Sequence, residues 1–121
     1  GVSIDGASKE TYEKLRLGGK WEKVLEGLEC ISKLKQKHNF RFILHFVVQK
    51  ENYHEMEDII ELGRRYGADR GWLNRITDWQ TFTNFSRHDV VAPEHPEHGE
   101  FQDRFARIKT TDNFVEYATL E

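Results

Sequence analysis

Phe40-Arg41-Phe42-Ile43-Leu44-His45-Phe46-Val47-Val48 is a nearly unbroken apolar run, rich in β-branched and aromatic residues. That composition fits a central β-strand better than a helix. Because side chains alternate across a strand, Phe40, Phe42, Leu44, Phe46 and Val48 share one face, and Arg41, Ile43, His45, Val47 and Gln49 share the other. The fully apolar set is the one helices should cover. Downstream, Lys50-Glu51-Asn52 breaks the run, and Asn52 with Glu55 three residues later has the form of an N-cap with a capping box. Met56, Ile59, Ile60 and Tyr66 continue as a helical stripe, Gly67 is placed to stop it, and residues 72–76 supply another strand.

Working upstream, residues 2–5 alternate apolar and polar before Gly6, as a short strand does. Ser8 can cap a short helix running to Arg16 or Leu17, and Gly18-Gly19 ends it. From residue 20 to residue 37, Trp21, Val24, Leu25, Leu28, Ile31 and Leu34 recur at spacings of three and four, with Glu29 and Lys33 one turn apart on the polar side. The order over residues 1–76 is therefore β-α-β-α-β with short loops, which favours a parallel sheet with right-handed crossovers. Residues 77–119 read as an appendage or linker towards a following domain. They are polar and dotted with aromatics, with Val90-Val91, Pro93 and Pro96 in the middle, a helix expected over 99–109, and a short strand or frayed end over 114–118. The terminal Leu120-Glu121 resembles an affinity-tag scar.

With 121 residues the chain is one domain or a piece of one. Eighteen Lys and Arg against twenty-one Asp and Glu give a net charge of -3, so a nucleic-acid partner is a poor fit. No apolar run approaches the ~20 residues of a membrane span. The single cysteine, Cys30, cannot form an intramolecular disulfide, which points to a reducing compartment such as the cytoplasm.

The polar face of the strands carries the candidate chemistry. Ser3 and Asp5 share a face of the first strand, His45 and Gln49 sit on the corresponding face of the second, and Asn74 can join them from the third. A polar face turned away from the helices is what a barrel lumen holding a polar ligand needs. Each residue also has a plainer role. Ser3 and Asp5 can close a strand-to-helix turn, Arg16 can be a helix-end cation, and His45 can be a hydrogen-bonded core histidine. His88 and Glu94-His95-Pro96-Glu97-His98 hold metal-ligating residue types, but Pro96 prevents a regular helix there and a solvated loop is the expected form. Trp72, Trp79, Phe82 and Phe85 could stack on a ligand or dock the appendage, with docking the first expectation.

The opening VSIDGASKETYEKLRLGGKWEKVLEGL, the strand ending FVVQKEN and the helix ending RRYGA resemble the second half of the radical S-adenosylmethionine (SAM) fold. The likeness covers roughly residues 2–76 and points to the branch that carries an additional C-terminal cluster domain and modifies peptides or proteins. It implies an α/β chain forming the C-terminal half of a partial TIM-type (β/α)6 barrel, followed by an irregular helical segment. The family binds SAM on a [4Fe-4S] cluster held by a C-x-x-x-C-x-x-C loop, cleaves it reductively to a 5'-deoxyadenosyl radical and abstracts hydrogen from substrate. On the resemblance, Ser3 lies near the SAM ribose or methionine end, Arg16 near its carboxylate and Asp5 near ligand or substrate, while His45, Gln49 and Asn74 face the lumen. The cluster loop is absent, so this chain alone is expected to be inactive. Its partners would be SAM and the remainder of the parent barrel, and its open edges should make it self-associate. Two rivals stand beside this reading. One is a freestanding α/β interaction module, and the other a phosphate binder using Gly18-Gly19, which lacks the spacing of a glycine-rich fingerprint.

Overall fold

The computed structural model describes residues 1–78, 80, 84–109 and 114–121. Strand β1 (Val2–Ser3) leads through helix α1 (Lys9–Leu15) to α2 (Trp21–Lys37), then β2 (Ile43–Val48), α3 (Met56–Arg65), β3 (Arg70–Arg75), α4 (His98–Lys109) and β4 (Val115–Glu116). The four strands form one sheet in chain order, β1-β2-β3-β4, with every neighbouring pair parallel. The first three strands and their intervening helices thus match the expected β-α-β-α-β order, and residues 114–118 supply a fourth strand.

Local chemistry accounts for most of the element boundaries. Ser8 is extended (φ -141°) and its hydroxyl accepts from the Thr11 N–H, so it caps α1 as expected. Gly18 follows that helix at φ +84°, a conformation that favours glycine. At the end of α3, Ala68 N–H donates to Gly63 O (2.8 Å) and Gly67 N–H to Arg64 O (3.2 Å), with Gly67 at φ +80°. That is a Schellman stop, satisfying carbonyls the helix cannot.

Asn52 and Glu55 correct the sequence reading. Neither side chain caps α3, and the segment begins instead with a 3-10 turn over Tyr53–Glu55. Both side chains are buried and reach back to the loop after β1, because the parallel sheet brings that loop's backbone groups within range. A long-range partner takes the place of a local one.

The core lies on one face of the sheet. Ile4, Leu44, Phe46, Val48, Leu73 and Val115 point into a cluster with Leu28 of α2, Met56 and Ile59 of α3, and Phe101, Phe105 and Ile108 of α4. Facing alternation in β2 is as expected, with Leu44, Phe46 and Val48 buried and Ile43, His45 and Val47 half-buried. Gly63 permits α3 to lie close, since a Cβ there would stand 3.4 Å from Leu44 and 3.3 Å from Phe114.

Two apolar expectations fail at the periphery. Phe40 lies before the strand and is 38% exposed, and the α2 stripe buries only Leu28 fully while leaving Leu34 exposed. Residues 77–119 contribute Val90, Val91, Phe101, Phe105, Ile108 and Val115 to the same core as residues 1–76, and Leu120 also packs there. No helix among the described residues is long and apolar enough to cross a membrane.

Candidate functional site

The face of the sheet opposite the helices carries a cross-strand row. Ser3 pairs with His45, His45 with Trp72, and Trp72 with Glu116. A second row places Val47 beside Asn74. The His45 and Trp72 rings meet edge to face with centroids 5.0 Å apart, a favourable quadrupole arrangement. His45 has no side-chain hydrogen bond among the described residues, so it is not the satisfied core histidine of the plainer reading. Burial holds its imidazole below the ordinary histidine value. Gln49 is buried one residue past β2, where its backbone N–H donates to Asn52 Oδ1 and its carbonyl accepts from Tyr53 N–H.

At the C-terminal end of β1 the chain turns through Asp5, Gly6, Ala7 and Ser8. Asn52, fully buried, donates through Nδ2 to Asp5 O (3.0 Å) and Val47 O (2.8 Å) while Oδ1 accepts from Gln49 N–H (2.8 Å). Glu55 accepts from Ala7 N–H (2.8 Å) and the Ser8 hydroxyl (2.6 Å). This turn is therefore held from the neighbouring strand's loop rather than by its own residues.

Arg16, from the end of α1, donates through Nε to Asp5 Oδ2. That bond and the carboxylate charge raise the guanidinium further above its usual value. Anchored through Nε, Arg16 leaves its terminal amino groups without another partner among the described residues. Ser3 is exposed on the open face. The structure thus brings Asp5 and Arg16 into contact, and puts Ser3, His45 and Asn74 on one sheet face.

A third feature lies past the C-terminal ends of β2 and β3. Residues 84–98 form a strap joined to the sheet by Lys50 N–H donating to His88 O (2.9 Å) and by a bidentate pair between Arg75 and buried Asp89. The solvated-loop expectation is corrected here, because Val90 and His95 are buried. His95 Nδ1 accepts from Glu97 N–H (3.0 Å) and Nε2 lies 2.8 Å from Arg87 O, an arrangement that requires a neutral ring with its proton on Nε2. His98 Nδ1 bonds to Val90 O and His88 Nδ1 to Glu51. The histidines are thus occupied in backbone and carboxylate bonds, and no group of three metal-ligating side chains occurs among the described residues.

A cleft of about 620 Å3 opens between the strap and Lys50, with Phe85, Arg87, Glu94 and Pro96 in its lining. Sequence reasoning missed this cleft, since only the fold brings the strap against the strand ends. Of the aromatic series, Trp72 stands 37% exposed on the open face and Phe85 lines the cleft, while Trp79 and Phe82 lie outside the described residues. Compared with protein-family models, curated proteins and solved structures, the chain matches none of them.

Proposed function

We propose that this chain is one wall of a radical SAM enzyme's partial (β/α) barrel, taking part in SAM binding at the C-terminal ends of its strands. The observation that carries the reading is the sheet itself: four parallel strands in unbroken chain order, with the core on one face and Ser3, His45, Trp72 and Glu116 across the other. A doubly wound fold reverses strand order and covers both faces, whereas a barrel segment does neither. The Ser3, Asp5 and Arg16 set fits the amino-acid end of SAM in chemistry. Arg16 is oriented by Asp5 and retains donors for a carboxylate, and a guanidinium fork recognises that group through paired hydrogen bonds.

The iron-sulfur cluster does not fit this chain. Ligation needs converging thiolates, and Cys30 is alone and exposed on α2. Cluster ligands and substrate-side residues would come from the remainder of the parent barrel. SAM bound there would supply radical chemistry towards a substrate such as a peptide, with the electron for its reductive cleavage coming from a reduced cluster held outside this chain. The role of this chain's residues is to hold and orient the ligand's charged end.

The test is the coding sequence upstream of Gly1, followed by SAM titration of the full-length product. A C-x-x-x-C-x-x-C segment and SAM binding weakened by Arg16→Ala support the reading. Absence of the cysteines, or binding indifferent to Arg16→Ala, overturns it. An interaction module remains the second reading, favoured by the exposed Trp72 beside Ile43 and Val47 on the uncovered sheet face.

A further inference from the structure

We propose that the cleft beneath the strap is a binding site for a small zwitterion of amino-acid type with an apolar side chain. It lies past the C-terminal ends of β2 and β3, the end at which parallel α/β sheets present their ligands. At about 620 Å3 it has the size of a small-molecule pocket.

The charges in the cleft select the ligand. Lys50 approaches Glu97 at 4.0 Å, and Asp89 is neutralised by Arg75. Three charged lining groups are left without an ion pair among the described residues: Arg87, Glu94 and, at the rim, Asp78, whose Oδ1 accepts from Gln80 N–H. Arg87 has no side-chain partner among the described residues, and Glu94 makes no hydrogen bond or ion pair among them, although its charge acts on the Arg75 guanidinium. These opposite charges share one cleft without reaching each other, so neither satisfies the other. An anion alone would bring its charge towards Glu94, and a cation alone towards Arg87. A molecule carrying both, with its carboxylate at Arg87 and its ammonium at Glu94, compensates the two together. Phe85, Ala92 and Pro96 supply apolar surface for its side chain.

L-Phenylalanine, phenethylamine and hydrocinnamate separate these contributions, because the second lacks the carboxylate and the third the ammonium. Calorimetric titration of the full chain should give binding of phenylalanine, about tenfold or more weaker binding of either single-charge analogue, and loss of phenylalanine binding in Arg87→Ala and Glu94→Gln. Both positions are exposed, and unchanged circular dichroism checks that the fold persists. The proposal is overturned if none of the three binds at millimolar concentration, if phenethylamine or hydrocinnamate binds as well as phenylalanine, or if neither substitution matters. The inference does not rest on the SAM reading. Arg16→Ala, which tests that reading, should leave phenylalanine binding unchanged, so the failure of either is seen separately.

Discussion

Asn52 concentrates more backbone satisfaction than any other polar side chain described above. With no exposure to water, it pairs Asp5 O, Val47 O and Gln49 N–H at once. Asn52→Ala would orphan all three, and buried unmet polar groups cost about 1–3 kcal/mol each before any water entry. The expected loss is about 2–4 kcal/mol, read as a lowered urea midpoint with unchanged m-value. Tyr53 offers a pH-dependent counterpart. Its hydroxyl lies 2.9 Å from Glu97 Oε1 and 2.8 Å from Glu100 Oε2. Burial, then those two hydrogen bonds and the carboxylate charges, raise the phenol far above its ordinary value. Since the folded value is raised, the contribution is fully present below about pH 10, the unfolded tyrosine value, and is lost as pH rises through the folded one. Absorbance titration should therefore show a tyrosine ionisation coincident with alkaline unfolding, and Tyr53→Phe should remove that step.

Between elements, Asp69 joins the end of α2 to the start of β2. Its Oδ2 accepts from Lys35 Nζ and from Phe42 N–H, both at 2.8 Å, while Lys35 also donates to Phe40 O (3.0 Å). The Lys35 hydrogen bond first, and the Phe42 N–H next, lower the Asp69 carboxyl below its usual value. A depressed folded value gives stability that is present above the unfolded aspartate value of about 3.9 and fades as pH falls through the folded one. Asp69→Asn should flatten the acid limb of a stability-pH curve. At neutral pH the change should stay within about 1 kcal/mol, because the side chain is 37% exposed and solvent screens the pair. A measured loss much larger than that would mean that the α2 junction bears more of the fold than its partial burial indicates.

At the scale of the molecule, the sheet is covered on one face and ends in two-residue strands at both edges. Ile43, Val47 and Trp72 form the apolar part of the uncovered face, and no strand among the described residues pairs with the outer side of β1 or β4. Apolar area and open edges both favour contact with another chain. The chain alone should therefore sediment with a mass that rises with concentration, and Trp72→Glu should return it to monomer. A strict monomer at high micromolar concentration would refute the association. In hydrogen exchange, Ile43–Val48, with neighbours on both sides, should be the slowest segment.

The period of the apolar residues determined much of this protein before any tertiary contact. The central position of β2, the burial of its even-numbered side chains, the Ser8 cap and the Gly67 stop all follow from local sequence, because each depends on backbone geometry or neighbours within a few residues. The order of elements along the chain was legible for the same reason through its first three strands. Other features depend on groups far apart in sequence that only the folded sheet brings together. Asn52 and Glu55 look like a helix cap from spacing alone, yet Asn52 reaches Asp5 O and Glu55 reaches Ala7 N–H, 47 and 48 residues away. His95 and Val90 look like parts of a wet loop, yet docking against the strand ends buries them. The Arg87 and Glu94 cleft arises in the same way, from a strap laid across two strand ends. Local periodicity sets which side chain faces inward, whereas the partner it finds there is decided by the packing of distant segments.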